Sequence, residues 1–252
     1  MSEGPVKEYY IYSPWLRIFH WLMAISVGVL FATGLYIGNP FFIGTQGVEP
    51  TFAVQKLLSM ETIRYIHFFA AFVLTAAFIL RIYGFAVNRG DRLLPRFWTA
   101  LYWQGIVEML KHYLFLSAEH RPFLRNSLAR SAYLGVYVLL VIEALTGFAM
   151  YVMVNPNSLG AKLFGPVNGF LGGEYTVHIV HHYVAWLLAI FVIVHVYLVV
   201  RADFMEREGE ASSMLSGVKF YAHKPADIGD IADDSDKQAN YGTRHRQYTA
   251  QG

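Results

Sequence analysis

Four long apolar stretches, separated by shorter polar segments, dominate the hydrophobic pattern of this chain. They are residues 18–37, 65–80, 131–154 and 175–200. A helix that crosses the roughly 30 Å hydrocarbon core of a bilayer needs about 20 apolar residues, and these stretches approach or exceed that length. The second is the shortest, but Arg64 and Arg81 border it and their long side chains can extend toward water. The pattern predicts an all-α integral membrane protein, a bundle of four helices in a lipid bilayer.

A fifth stretch, residues 97–116, is rich in aromatic residues but carries Glu108, Lys111 and His112 near its middle. Charges at the centre of a span are costly, which argues against a fifth crossing. We therefore expect an amphipathic helix that lies in the membrane interface between spans 2 and 3.

Basic residues are distributed unevenly along the chain. Segments 1–17, 81–130 and 201–252 hold two, eight and seven Lys and Arg residues, whereas the other side of the predicted bundle has only Lys56, Arg64 and Lys162. Loops rich in Lys and Arg remain in the cytoplasm, so both termini are predicted to be cytoplasmic. This divides the chain into a cytoplasmic N-terminal segment (1–17), a transmembrane domain (18–210) and a polar, irregular cytoplasmic tail (211–252).

The amino-acid composition limits the cofactors that this chain can bind. The 252 residues are 55% hydrophobic and 15% charged, which is typical of a membrane protein. Cysteine is absent, which excludes disulfides, iron–sulfur clusters, thiolate zinc sites and covalently attached haem in this chain. A redox cofactor would have to be bound non-covalently through His or Met. The sequence has no basic run typical of nucleic-acid binding and no pattern of a cleaved signal peptide.

Four histidines lie at matched depths in the predicted helices. His181 and His195 are fourteen residues apart, about 3.9 turns and about 21 Å, so they project from nearly the same face of span 4. The predicted orientation puts His20 and His195 near the cytoplasmic side, and His67 and His181 near the opposite side. A lone histidine at a helix end is usually interfacial or hydrogen-bonded, but four at two consistent depths favour a function. We expect two bis-histidine sites for b-type haem, with these histidines as iron ligands.

Residues near the candidate ligands give weaker evidence for haem binding. Arg17 and Arg64 each precede a candidate ligand by three residues and could pair with haem propionates, as could Arg81, which follows His67 by fourteen. Gly34 follows His20 by fourteen and could admit a flat ring. Ordinary boundary arginines and small-residue helix packing explain these positions equally well.

Three further positions carry open interpretations. Glu143 lies in the middle of span 3, where a carboxyl group could handle protons, could be protonated and bonded to a neighbouring helix, or could face a partner. His182 and His178 lie about 140° and about 100° around the helix from His195, away from the face of the candidate ligands, although either could approach a haem edge or propionate.

Several motifs closely resemble the cytochrome b subunits of membrane-bound nickel–iron hydrogenases. They are RIFHW (17–21), IRYIHF (63–68), RIYGF (81–85), YWQG (102–105), YLFL (113–116), TGFAMY (146–151) and HIVHHYVAWLLAIFVIVHVY (178–197). The likeness covers about residues 9–222. It implies a dihaem four-helix subunit in the bacterial cytoplasmic membrane, with His20, His67, His181 and His195 as axial ligands. Glu143 stands where this family leads us to expect an apolar residue.

The resemblance also implies partners. The iron–sulfur small subunit of a periplasmic hydrogenase, itself joined to the nickel–iron large subunit, would pass electrons through the two haems of this chain to membrane quinone. Hydrogen activation would take place on another subunit and quinone reduction on this chain, which would contribute no catalytic residue to hydrogen activation. Quinone would bind near the cytoplasmic haem, where His112, Arg17 and Arg201 are candidate neighbours.

Three alternatives stay open. The chain could be the cytochrome b subunit of a formate dehydrogenase, or of another quinone-linked oxidoreductase, which has a similar helix bundle. A non-redox proton or ion transporter could use Glu143 and the buried histidines. A passive membrane anchor for a peripheral enzyme would need no haem.

Overall fold

The computed structural model describes residues 7–38, 59–87, 94–117, 123–124, 126–205, 208–221, 223 and 225–227. Helices account for most of them, which confirms the all-α prediction. The helices are α1 (Pro14–Gly38), α2 (Met60–Val87), α3 (Ala100–Tyr113), α4 (Ser127–Tyr151), α5 (Leu159–Phe170), α6 (Glu174–Met205) and α7 (Glu210–Ser216). A 3₁₀ turn, Val152–Val154, follows α4, and the strands β1 (Lys7–Tyr10) and β2 (Val218–Tyr221) form a two-stranded antiparallel sheet.

Four of these helices are long and apolar enough to cross a membrane: α1, α2, α4 with its 3₁₀ turn, and α6. They coincide with the four predicted spans but are longer at their ends. The largest extension is in α2, which has 28 residues and contains both Arg64 and Arg81. Arginine is a good helix former, so the helix continues past the end of the apolar run.

The predicted amphipathic segment forms α3. Thr99 begins it by accepting a hydrogen bond from the backbone N–H of Tyr102, which is the usual role of an N-cap residue. Its buried residues, Tyr102, Gly105, Met109 and His112, recur every three or four positions and form one stripe. The stripe packs against α4: the Tyr102 hydroxyl lies 2.5 Å from the Ser131 hydroxyl.

Helix α5 is absent from the sequence prediction. Ser158 caps it by accepting a hydrogen bond from the backbone N–H of Ala161. Three glycines and Pro166 lie within its twelve residues, a composition that favours a loop. Tertiary contacts stabilise the helix instead, because Phe164 stacks on Phe148 with ring centroids 5.0 Å apart and Asn168 donates a hydrogen bond to the Ala149 carbonyl.

The chain divides into two compact units. One contains Met1–Arg17, Ile82–Gly135 and His195–Gly252, and the other contains Ile18–Arg81 and Val136–Val194. In the second unit, ring contacts join the helices: Phe68 packs edge-on against Tyr151, and Phe31 packs edge-on against Trp186. These contacts fix α2 against α4 and α1 against α6.

In the first unit, part of the predicted irregular tail is folded. Residues 213–221 form most of α7 and all of β2, which pairs with β1 so that Lys7 lies opposite Tyr221. Tyr221 is 1% exposed, and its hydroxyl donates a hydrogen bond to the Phe123 carbonyl at 2.9 Å. The polar composition of the tail hid this strand, whose partner is some 210 positions earlier in the chain. Residues 228–252 lie outside the described residues.

Candidate functional site

Thr33 on α1 contacts His67 on α2. The Thr33 hydroxyl oxygen lies 2.8 Å from His67 Nδ1 and 2.7 Å from the carbonyl oxygen of Val29, one helical turn earlier. A hydroxyl has one hydrogen and a carbonyl can only accept, so the Thr33 hydrogen points to Val29. His67 Nδ1 must then carry a proton and donate it to Thr33. The ring is held in the tautomer that leaves the Nε2 lone pair available to a metal.

The same arrangement recurs between α4 and α6. The hydroxyl oxygen of Thr146 lies 3.0 Å from His181 Nδ1 and 2.7 Å from the carbonyl oxygen of Ile142. Thr146 is 1% exposed, so water does not compete for this bond. By the same hydrogen count, His181 donates from Nδ1 and keeps its Nε2 lone pair.

A glycine follows each threonine and lies beside the same imidazole. A Cβ added at Gly34 would come within 3.5 Å of His67 Cε1, and one added at Gly147 within 3.2 Å of His181 Cε1. The sequence singled out Gly34 by its spacing from His20, whereas the structure brings it against His67. The Thr-Gly dipeptides thus bond each ring at Nδ1 and leave space beside it.

His67 and His181 lie in the same unit, and both are half-buried. Two imidazoles, each held at Nδ1 by an acceptor on another helix and each keeping its Nε2 lone pair, are the donor set that bis-histidine ligation of a haem iron would use. His67 and His181, with Thr33 and Thr146 bonded to them, therefore fit a haem.

Glu143 also contacts His181. Its Oε2 lies 2.8 Å from His181 Nδ1, and its side chain is 13% exposed. The sequence left three interpretations of this residue open, and the contact with α6 corresponds to the bond with a neighbouring helix.

The predicted supporting arginines have different surroundings. Arg81 is 3% exposed, and its Nε donates a hydrogen bond to the Tyr137 hydroxyl at 3.1 Å. Arg17 donates from Nη1 to the Leu215 carbonyl, which joins the start of α1 to α7. Arg64 is exposed. Propionate contacts for these arginines stay predictions.

The remaining histidines of the spans fall into two groups. His20 and His195 are each half-buried and lie in different units, and their pairing stays a prediction. His178 and His182 are exposed and bond within α6 itself: His178 Nδ1 donates to the Glu174 carbonyl, and His182 Nε2 accepts from the Trp186 indole.

Two of the three candidate quinone neighbours meet in the first unit. Arg201 Nη1 lies 3.1 Å from Nε2 of the buried His112. The guanidinium also lies over the rings of Tyr113 and Phe115, at 5.7 and 5.3 Å from their centroids. Arginine can only donate, so His112 Nε2 accepts in this bond.

Sequence reasoning missed both threonines. A signal was present, because a Thr-Gly dipeptide occurs inside two spans and precedes a candidate histidine by 34 residues in one case and 35 in the other. This near-repeat would have selected Thr33 and Thr146 as partners of His67 and His181.

Residues 11–217 match the family described as prokaryotic cytochrome b561. The chain is 38% identical to the probable Ni/Fe-hydrogenase B-type cytochrome subunit of Cupriavidus necator, over 87% of this chain and 90% of the relative. It is 33% identical to the probable Ni/Fe-hydrogenase 1 B-type cytochrome subunit of Escherichia coli K12 (88% and 94% covered) and 35% identical to the Azotobacter vinelandii B-type subunit (84% and 88%). These matches confirm the resemblance seen in the motifs: the chain is a multi-pass membrane protein of the prokaryotic cytochrome b561 family.

Proposed function

We propose that this chain is the dihaem cytochrome b subunit of a membrane-bound nickel–iron hydrogenase. It anchors the periplasmic enzyme in the cytoplasmic membrane and passes electrons from the iron–sulfur small subunit to quinone. Family membership and the names of the relatives support the hydrogenase link. The seventeen Lys and Arg residues of segments 1–17, 81–130 and 201–252 support cytoplasmic termini.

The observation that carries the proposal is the repeated bond between a threonine and a histidine. Thr33 and Thr146 each accept from Nδ1 of a histidine on another span, at 2.8 and 3.0 Å. Each bond fixes the ring orientation and leaves Nε2 available, which is how protein partners commonly prepare histidine for a metal. His67 and His181 would hold one haem, which when bound supplies reversible one-electron transfer.

The second haem site is proposed on helical phase. His195 follows His181 by fourteen residues on the continuous helix α6, so it shares that face about 21 Å away. We assign His20 and His195 as its ligands. Arg17, Arg64 and Arg81 are proposed partners of the propionates, because arginine binds carboxylates through two parallel hydrogen bonds.

Quinone is proposed to bind beside His112 and Arg201. A buried histidine held by an arginine, with aromatic rings nearby, offers hydrogen bonds and stacking surfaces to a quinone head group. Replacing Arg201 with Lys would keep the charge and lose the planar stacking over Tyr113 and Phe115. We expect a higher KM for quinone in this variant, with haem content unchanged.

The test is haem stoichiometry in a tagged preparation that retains its partners. We expect two b-type haems per chain, and one in either the His67→Ala or the His181→Ala variant. Exposed His178, replaced by Ala, is the matched control on α6 and should keep both haems. A chain without haem would contradict the proposal and favour a transporter or a passive anchor.

Metal analysis of the co-purified partner decides which enzyme is attached. Nickel supports the hydrogenase. Molybdenum or tungsten would contradict it and support a formate dehydrogenase or a related quinone-linked enzyme.

A further inference from the structure

Glu143 places a carboxyl group inside span α4, where a charge is expensive unless it is bonded. The side chain is 13% exposed, and its Oε2 lies 2.8 Å from His181 Nδ1. Its other oxygen, Oε1, is buried and has no hydrogen-bond partner among the residues that the structure describes. A buried carboxyl oxygen without a bond needs an explanation. The bond that the other oxygen makes with His181 points to a role of this group at that ring.

His67 and His181, the proposed ligands of one haem, differ in one respect. Each bonds to a threonine that is followed by glycine, but the residue three positions before the threonine is Leu30 on α1 and Glu143 on α4. Within the described ranges, His67 Nδ1 faces only neutral oxygens, whereas His181 Nδ1 faces a carboxyl oxygen as well. A hydrogen bond to an ionised acceptor is roughly twice as strong as one to a neutral acceptor.

We infer that Glu143 is a positioning residue that tunes His181: it lowers the reduction potential of the haem that His181 ligates. The inference rests on the proposed function, in which His181 is an axial ligand. A carboxylate that draws on the Nδ1 proton increases the basicity of the imidazole. A more basic ligand and a nearby negative charge both favour the ferric over the ferrous state. No proton leaves either residue in this equilibrium.

Electrostatics set the expected size. A unit charge several ångströms from the iron, at an effective dielectric constant of about 20, changes the reduction equilibrium by about tenfold or more. For a one-electron couple, tenfold corresponds to about 59 mV. Only one of the two haems should respond strongly, because His195, the proposed ligand of the other, lies about 21 Å from His181 along α6.

The experiment is a redox titration of the purified complex, followed through the visible bands of both haems. Glu143→Gln keeps the shape and an acceptor oxygen but removes the charge. We expect one haem of this variant to favour the reduced state by about tenfold relative to the wild type, and its ferric EPR spectrum to change. Glu174→Gln is the matched control, because Glu174 is exposed in the first turn of α6 and water screens its charge. It should leave both potentials unchanged.

The outcomes separate this inference from the function on which it rests. A Glu143→Gln variant with two haems and unchanged potentials would overturn the inference and leave the function standing. A wild-type complex without haem would overturn the function, and the inference with it. If Glu143→Gln loses a haem, Glu143→Asp keeps the charge and is the second test. Retention of both haems by Glu143→Asp supports the inference, and loss of a haem from both variants overturns it, since Glu143 would then be needed for the fold.

Discussion

Thr33 Oγ1 lies 2.8 Å from His67 Nδ1, so a hydroxyl on α1 determines which nitrogen of an imidazole on α2 carries the proton. This bond is repeated between α4 and α6. The proposed haem site depends on these two bonds and therefore on Thr33 and Thr146.

Replacing Thr33 with Val should weaken haem retention, because valine has the same shape but cannot accept from His67 Nδ1–H, and a lost partner of this kind costs about 1–3 kcal/mol. Thr146→Val should weaken haem retention less, because Glu143 Oε2 lies 2.8 Å from His181 Nδ1 and remains as an acceptor. Haem per chain after a detergent wash is the measurement. Thr75→Val is the control, because the Thr75 hydroxyl donates only to the Ala71 carbonyl of its own helix. Equal haem contents in all three variants would contradict the assigned role.

Gly147→Ala should disturb His181 without unfolding α4. The new Cβ would lie 3.2 Å from His181 Cε1, so the ring would have to move by a few tenths of an ångström. We expect a shifted visible spectrum or loss of one haem. Gly135→Ala on the same helix meets nothing within 4 Å and should be neutral or slightly stabilising. Identical spectra for the two variants would show that Gly147 is not needed for space.

Gly105→Ala should loosen α3 from α4. A Cβ at this position would lie 2.8 Å from Ser127 Oγ, closer than real Cβ atoms approach, and 3.3 Å from Ser127 Cβ, so Ser127 or the helix would have to shift. Overpacking of this kind costs about 1–3 kcal/mol, so thermal stability in detergent should fall. Adding Ser127→Gly to the variant should restore part of the loss, because it removes the atoms in the way. A double variant no more stable than Gly105→Ala would argue against this contact as the cause.

The β1–β2 sheet should lose stability at alkaline pH. Burial, the largest single effect, would lower the pKa of Lys219, but the ion pair with Glu210 and the nearby Tyr221 and Tyr133 together outweigh burial and raise that pKa above the ordinary 10.5. Burial raises the pKa of Tyr221 as well. A raised folded-state pKa gives stability that is fully present below the unfolded-state value and is lost as pH rises through the folded-state value. Protection of residues 218–221 from hydrogen exchange, corrected for the intrinsic exchange rate, should therefore be constant at neutral pH and fall above about pH 10.5.

A variant without the charge of Lys219 tests whether the ion pair with Glu210 causes the loss of hydrogen-exchange protection at alkaline pH. Lys219→Met should reduce protection of β2 already at neutral pH, because Glu210 would lose its partner. The exposed Lys162, replaced by Met, is the control and should have no effect. A Lys219→Met protein with wild-type protection would contradict the role of the ion pair.

The hydrophobic pattern alone was enough to find α1, α2, α3, α4 and α6. It failed for α5, where Gly and Pro dominate the local preference and the stacking of Phe164 on Phe148 decides the outcome. It also failed for β2, a four-residue strand whose buried positions are Lys219 and Tyr221, so its apolar residues do not mark the buried face. Phase along α6 set His178 and His182 apart from His181, and both proved exposed.

By itself, the sequence determined the four membrane spans and the fourteen-residue spacing of His181 and His195, because apolar length and helical phase are properties of a single segment. Only the tertiary structure decided that Thr33 and Thr146 hold the histidines and that Glu143 faces His181. Those relationships join residues 34 to 38 positions apart on different helices. Which side chains meet across a helix pair depends on how the helices are rotated and shifted against each other, and packing sets that rotation, not the composition of either helix.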